Sequence, residues 1–422
     1  MTERFAIQER RPIQKTGWAS TFWSLSYPDY RLLWISTVFI SGGNWLQQVT
    51  LGWLAWEMTE SPLQVGAILG VRTAPLLLSP IAGVMADRFD RRKILMVDQV
   101  AMAALGVGFA FVLIFNAQQV WHLYLFAVVA GFLWVINNPV RQALVANSVP
   151  SEALMNAIAL NSMAFNSMRM VGPALGGLLI AAFGPGVNFL LQGLLYILVL
   201  FMMVPFKVRY SSANRENVRS QSVLHNLAEG MKYVWHEPTT LTITLMTTVL
   251  TLTILSFTMN QMPVYAAQIL HGAGREYGLL LMAMGIGGLL GTLIMARFSQ
   301  IKRKGMVLVS AFAGAGIGLL VLSQMTTLWG AMIVLVFQQG FVMTVMTTNN
   351  TVIQMITPDH LRGRVIGVYM MEIGWMPVGG IIAGAIATHY GVPFAWMIGA
   401  VVGLLTLIAV AILRPQFRRL TV

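Results

Sequence analysis

Gly83-Val84-Met85-Ala86-Asp87-Arg88-Phe89-Asp90-Arg91-Arg92-Lys93 is a charged loop set between two apolar runs, each long enough to cross a bilayer. A weaker copy, Gly291-Thr292-Leu293-Ile294-Met295-Ala296-Arg297-Phe298 followed by Lys302-Arg303-Lys304, returns about one half-chain later. It keeps the glycine, the Arg-Phe pair and the basic cluster but has no aspartate. Two related halves with a charged loop at the same place are a build that membrane transporters use.

Composition points the same way. Hydrophobic residues make up 57% of the 422 and charged ones only 10%, with a mean hydropathy of +0.71; soluble domains carry about 25% charged residues. Apolar runs of spanning length fall near 32–56, 62–86, 94–116, 120–147, 153–182, 186–206, 239–268, 276–297, 306–325, 328–356, 363–388 and 393–413. The expected fold is therefore all-α and membrane-embedded: an arm at 1–31, a six-helix bundle at 32–206, a linker at 207–238, a second bundle at 239–413 and a tail at 414–422.

The net charge of +12 reads as topology rather than as a nucleic-acid footprint. Arg72, Arg141 and Arg169 fall inside spans and Arg275 in a loop on the opposite side. All other Lys and Arg lie in the arm, the even-to-odd loops, the linker and the tail. The positive-inside rule makes those segments, and both termini, cytoplasmic. The polar first thirty residues lack the apolar core of a removable signal peptide, and the absence of cysteine excludes disulfides and thiolate metal sites.

Thr21 to Arg31 is rich in aromatic residues and reads as an interfacial anchor. In the linker, Val223, Leu224, Leu227, Met231, Val234 and Trp235 recur at helical spacing, as in a helix lying under the bilayer and joining the two halves. The repeat shows again at an offset of roughly 208 residues: Val149 to Leu154 matches Thr357 to Arg362, and Gly172, Gly176 and Gly177 match Gly380, Gly384 and Ala385.

These residues resemble the major facilitator superfamily over essentially the whole chain. The loop from Gly83 to Lys93 is similar to its loop between helices two and three, with Asp90 where many members carry a second glycine. Asn138 to Leu144, Asn156 to Ser162, Gly172 to Gly177 and Leu361 to Val365 resemble the bacterial exporter branch that includes the enterobactin exporter. The resemblance implies two six-helix bundles around a cavity, alternating access and efflux. It also implies that Asp87 docks on the N-terminus of the eleventh helix, near Leu361 to Arg364, where the helix dipole favours an anion. That contact would clamp the halves; Arg88, Arg91, Arg92 and Lys93 are then topology determinants, one of them completing the clamp, while Gly83, Gly172 and Pro173 serve the turn, close packing and a kink.

Five charges fall inside spans: Arg72, Asp98, Arg141, Arg169 and Glu372. Left unpaired they would cost about 12–17 kcal/mol, more than most domains have to spare, so they must pair or face water. Asp98 and Arg141 sit at similar depth and form either a structural salt bridge or a state-dependent gate. Glu372, near mid-bilayer, is the leading proton site, since a carboxyl there favours its neutral form; the competing reading is neutralisation by Arg169 or another arginine. Asn44, Gln47 and Gln48 stand in the first span where drug antiporters often carry an acid.

Neutral polar residues recur on the first, fourth, seventh and tenth spans: Asn44 and Gln48, Asn137 and Asn138, Asn260 and Gln261, and Gln338 and Gln339 with Asn349 and Asn350. They mark a wet substrate cavity with Arg72 and Arg169, or interhelical hydrogen bonds. No catalytic, nucleotide or metal motif appears. The expectation is a proton-gradient-driven exporter of an amphipathic small molecule, a siderophore or a lipophilic drug such as a macrolide. It would sit in the bacterial inner membrane and work as a monomer, with the bilayer and the small molecule as partners, no nucleic acid and no cofactor. The alternatives are a receptor or scaffold that lost transport, an importer, or a lipid transporter.

Overall fold

The structure, a computed structural model, describes residues 21–79, 85, 89–206, 223–298 and 303–414. These residues form α1 (Pro28–Thr59), α2 (Pro62–Thr73), α3 (Arg91–Ile114), α4 (Val120–Ala146), α5 (Ser151–Phe183), α6 (Pro185–Met203) and α7 (Val223–His236). Then come α8 (Pro238–Gln268), α9 (Gly274–Arg297), α10 (Lys304–Leu322), α11 (Leu328–Ile356), α12 (Asp359–Met370), α13 (Met376–Tyr390) and α14 (Val392–Leu413). Eight of them are long and apolar enough to cross a membrane. The apolar runs of the sequence fall on these helices, α12 and α13 sharing the eleventh, while the second run is described only to residue 79 and at residue 85.

Local sequence sets the boundaries. Proline, whose missing N–H is harmless in a first turn, opens α1, α2, α6 and α8. Gly184 and Gly391 close α5 and α13 at φ of +79° and +83°, an extended backbone of positive φ that costs a side chain about 1–3 kcal/mol. They stand at equivalent places in the two halves, one more sign of the repeat.

Three spans are not the straight helices expected. The second continues from α2 as a 3-10 turn, Ala74–Leu78, around Pro75, and the eleventh is broken by another, Met371–Trp375, ahead of Pro377. Proline cannot donate to the ladder and its ring crowds the preceding turn. The seventh widens into a π-turn at Leu250–Leu255, where Ser256 Oγ donates to Thr251 O five residues back, 2.5 Å.

The halves meet along two seams, α2 and its 3-10 extension against α13 and the 3-10 turn before it, and α5 against α9, and glycine makes both possible. A Cβ on Gly384 would lie 2.5 Å from Pro62 O; one on Gly70 would lie 2.9 Å from Pro377 Cα. In the other seam a Cβ on Gly278 would lie 2.5 Å from Pro173 O and one on Gly285 2.7 Å from Arg169 O. Small residues let backbones touch, which is how helices associate where lipid supplies no hydrophobic drive.

The aromatic arm docks on α5. Ser24 N and Oγ donate to Asn156 Oδ1 at 3.0 and 2.7 Å, Tyr30 Oη donates to Ala157 O at 2.7 Å, and Trp34 Nε1 to Leu160 O at 2.9 Å, all on α5. Helix α7 packs on α12 and α8, both in the second half. A Cβ on its Gly230 would lie 2.7 Å from Arg364 O, and Glu229 pairs with the Arg364 guanidinium.

Candidate functional site

Apart from Arg275, the described Lys and Arg outside the spans lie on one face, at the start of α1, α3, α10 and α12, on α7, and at the end of α9 and α14. Two cavities open in the half of the molecule next to this basic face, one in each bundle. The first, about 300 Å³, lies among α1, α4 and α5 and is lined by Thr37, Ser41, Asn137, Asn138, Arg141 and Asn161. The second, about 330 Å³, lies among α8, α11 and the broken eleventh span, lined by Thr247, Met346, Asn350, Tyr369 and Glu372. The seam contacts of Gly384 with Pro62 and of Gly274 with Ile180 lie toward the opposite face.

Arg141 is 6% exposed. Its Nη1 donates to Ser36 Oγ at 2.8 Å and Thr37 Oγ1 at 3.2 Å, and its Nε to Asn137 Oδ1 at 3.4 Å. Asp98, 4% exposed, accepts from Asn137 Nδ2 and, at 2.9 Å, from Gln99 Nε2. The charges share a site, but Asn137 stands between them and no direct ion pair joins them among the described residues. At the matching place in the second half, Asn349 Nδ2 donates to Thr247 Oγ1, 2.7 Å. The repeat thus keeps a bond from the fourth or tenth span to a hydroxyl on the first or seventh, charged in one half and neutral in the other.

Glu372 lies on the 3-10 turn, 4% exposed, with the Thr247 hydroxyl beside it; no other described group is within hydrogen-bond reach of its carboxyl oxygens. Thr247 lines the same cavity, but its hydroxyl donates to Ile243 O, 2.9 Å, and accepts from Asn349. Arg169 does not reach Glu372; its guanidinium points to Met343 Sδ, 3.7 Å, across the α5–α9 seam. Arg72 is held by Gln48 Oε1 and, at 2.7 Å, by Asn44 Oδ1. Those first-span amides therefore serve a half-buried cation.

The remaining sequence candidates separate by environment. Asn137, Asn138 and Asn350 line the cavities, whereas Asn260, Gln261, Gln338, Gln339 and Asn349 are buried in interhelical packing. From α8, Asn260 Nδ2 donates to Met376 O of α13 at 3.5 Å and Gln261 Nε2 to Pro62 O of α2 at 3.3 Å, one bond to each helix of the α2–α13 seam; Gln338 Nε2 donates to Thr258 Oγ1 at 3.3 Å and Gln339 Nε2 to Gln338 Oε1 at 2.9 Å. Gly172 packs α5 on α1, its Cβ position 2.7 Å from Trp45 Cβ, and Pro173 presents its carbonyl to Gly278. Gly83, Asp87 and Arg88, and with them the clamp, lie outside the described residues.

Other residues of the charged loop have local roles. Asp90 caps α3, its Oδ1 accepting from the Arg92 and Lys93 N–H groups at 2.9 and 3.1 Å, which is a physical use for an aspartate in place of glycine. Arg92 Nε donates to Met203 O, 3.2 Å, tying α3 to the end of α6, and an Arg91 guanidinium N–H can donate to Asn147. Thr247 and Tyr369 were not sequence candidates; nothing in a lone threonine or tyrosine on an apolar helix distinguishes a cavity wall from packing.

The fold matches solved transporters. A nucleoside transporter, NupG, superposes with a TM-score of 0.74 at 11% identity, covering 92% of this chain and 100% of that one. A bacterial homologue of the human lysosomal transporter Spinster gives 0.69 at 14% identity, covering 93% and 96%. In sequence, the chain is 29% identical over 403 residues to the multidrug efflux pump Tap of Mycolicibacterium fortuitum, 92% of this chain and 96% of that protein. It is 25% identical over 354 residues to the staphyloferrin A transporter of Staphylococcus aureus, 83% and 87%. The model of the transmembrane secretion effectors, a major facilitator family, matches residues 19–420, and the protein belongs to that family: a multi-pass membrane transporter and not an enzyme.

Proposed function

We propose that this protein exports an amphipathic small molecule across the bacterial inner membrane by alternating access, in exchange for protons that bind Glu372. The observation that carries the coupling is the Glu372 carboxyl, which borders a cavity, is almost wholly buried and, among the described residues, has no cation on either oxygen and no polar neighbour but the Thr247 hydroxyl, whose proton is given to Ile243 O. A lone carboxylate in a dry site is costly, so a proton or a cationic group of the substrate must accompany it whenever the cavity closes.

The basic face is cytoplasmic in this reading, by the excess of Lys and Arg there, and both termini lie on that side. Two cavities open to the cytoplasm, with the seams closed toward the other face, make a loading state. The substrate enters as the Glu372 proton leaves. After release outside, the acid takes a new proton, and the neutral form permits the return. Asp87 belongs to the clamp that locks the opposite state. The two relatives frame the substrate class, one being a multidrug pump and the other a siderophore transporter. The protein acts as a monomer, without nucleic acid or cofactor.

Uptake of a panel of siderophores and lipophilic drugs into everted vesicles of an efflux-deficient bacterium, with and without a proton gradient, tests the reading. The expected result is gradient-dependent uptake that disappears in Glu372→Gln. Gradient-dependent uptake that survives the substitution refutes the role of Glu372, and movement independent of the gradient refutes the coupling.

A further inference from the structure

Outside both cavities, the first bundle contains a run of buried polar side chains that neither packing nor the proposed transport cycle uses. Asn188, Gln192 and Tyr196 recur at four-residue spacing on α6, so they form one stripe about 12 Å long, and all are at most 1% exposed. The stripe faces α1. Asn188 Nδ2 donates to Thr50 Oγ1 at 2.8 Å and to Gly176 O at 2.9 Å, while Gln192 Nε2 donates to Gln47 Oε1 at 3.2 Å. Gly43 admits Tyr196 and Gln192, its Cβ position lying 3.4 and 3.5 Å from their side chains.

The stripe is far from satisfied. Among the described residues, Asn188 Oδ1, Gln192 Oε1, Gln47 Nε2 and the Tyr196 hydroxyl have no hydrogen-bond partner, and where the stripe meets α3 the same is true of Gln99 Oε1 and Asp98 Oδ1. An orphaned buried polar atom costs about 1–3 kcal/mol, and so many in one file is uncommon in a native interior. Bound water, which makes about three hydrogen bonds when buried, satisfies such groups.

The two ends of the file reach opposite faces. At one end Asp98 accepts from Asn137, which lines the first cavity near the basic face. At the other, Asn188 follows directly on Pro185, Gly186 and Val187, which line a cavity of about 450 Å³ on the opposite face with Glu57 at its rim. The charged and titratable groups around Asp98 are Arg141 from α4, Tyr196 from α6 and, through Tyr196, Arg72 from α2.

We propose that the first bundle holds a hydrated proton path of its own, running from the Glu57 cavity along the α6 stripe to Asp98 and separate from Glu372. The amides hold water in place, and the Tyr196 hydroxyl can both accept and donate. One proton entering at the Glu57 mouth is passed along water and hydroxyl to Asp98 Oδ1, and one proton leaves the same carboxyl past Asn137 into the first cavity. No other bond changes. The path delivers protons to the half of the transporter that lacks Glu372, and it does not depend on that residue's role.

Hydration is read first, on the full wild-type protein, by radiolytic hydroxyl labelling with mass spectrometry, which modifies side chains beside bound water. Tyr265 is the internal control, as buried as Tyr196 but with its hydroxyl donated to Met325 O at 2.7 Å. The expected result is labelling of Tyr196 several-fold above Tyr265; equal labelling overturns the proposal. Proton entry is then followed with pyranine in proteoliposomes under a potassium diffusion potential, without substrate. Flux that falls to the protein-free level in Gln192→Leu and in Asp98→Asn, and persists in Glu372→Gln, is expected. Wild-type flux at the protein-free level, or flux unchanged in Gln192→Leu, overturns the path.

Discussion

Gly384→Ala tests whether the α2–α13 seam sets the conformational balance. The new methyl would lie 2.5 Å from Pro62 O and 2.8 Å from Leu63 Cα, where ordinary contact begins at 3.4 Å. Both obstacles are backbone and cannot rotate away, so the two helices must part. Overpacking of this kind costs about 1–3 kcal/mol. The cost falls on the state with the seam closed and is relieved once the seam opens, so the open population should rise by about 5- to 160-fold. The absence of cysteine makes the assay direct. Gln261, fully buried and donating to Pro62 O, is replaced by cysteine as a lone reporter, and its reaction with a membrane-impermeant maleimide is timed in intact cells. Gly384→Ala should speed labelling within that range. Gly108→Ala, whose methyl meets nothing within 4 Å, should leave it unchanged. A well-folded Gly384→Ala protein labelled at the reporter's original rate would refute the seam as the determinant.

Asp90→Ala removes the cap of α3 and should lower stability by about 0.5–2 kcal/mol, seen as a lower thermal midpoint in detergent with insertion intact. Asn44→Ala and Gln48→Ala each leave a guanidinium donor of Arg72 unmet, at about 1.5–3 kcal/mol apiece. The double variant should cost less than the sum if the side chain swings to water, which a thermal double-mutant cycle would reveal. On the linker helix, Glu229→Gln breaks a partly exposed ion pair and should cost no more than about 1 kcal/mol. Gly230→Val drives a side chain into Arg364 O and should cost more; the order of their thermal midpoints is the check.

The charged candidates were legible in the sequence because charge inside an apolar run is conspicuous, and Asp98, Arg141 and Glu372 do border or adjoin the cavities. Their partners were not. An ion pair between Asp98 and Arg141 looked natural from depth alone, yet an asparagine one turn from Arg141 takes the place between them. The amides of the seventh and tenth spans looked like cavity lining, but Asn260 and Gln261 face the seam. Depth follows from position along a helix, whereas rotation about its axis depends on which neighbour it packs against.

The sequence by itself determined the membrane class, the order of the apolar runs, the placement of the basic residues and the twofold repeat. Those follow from the length of apolar runs, from proline and glycine at helix ends, and from where Lys and Arg are placed, all of them local properties. Only the tertiary structure decided where the second and eleventh spans break, which glycines let backbones touch across the seams, and that Asn188, Gln192 and Tyr196 turn inward as one polar stripe. A break becomes tolerable, and an amide becomes buried or wet, only through what the neighbouring helices present to it. In a bilayer, where lipid satisfies no polar group, those neighbours decide the function of each one.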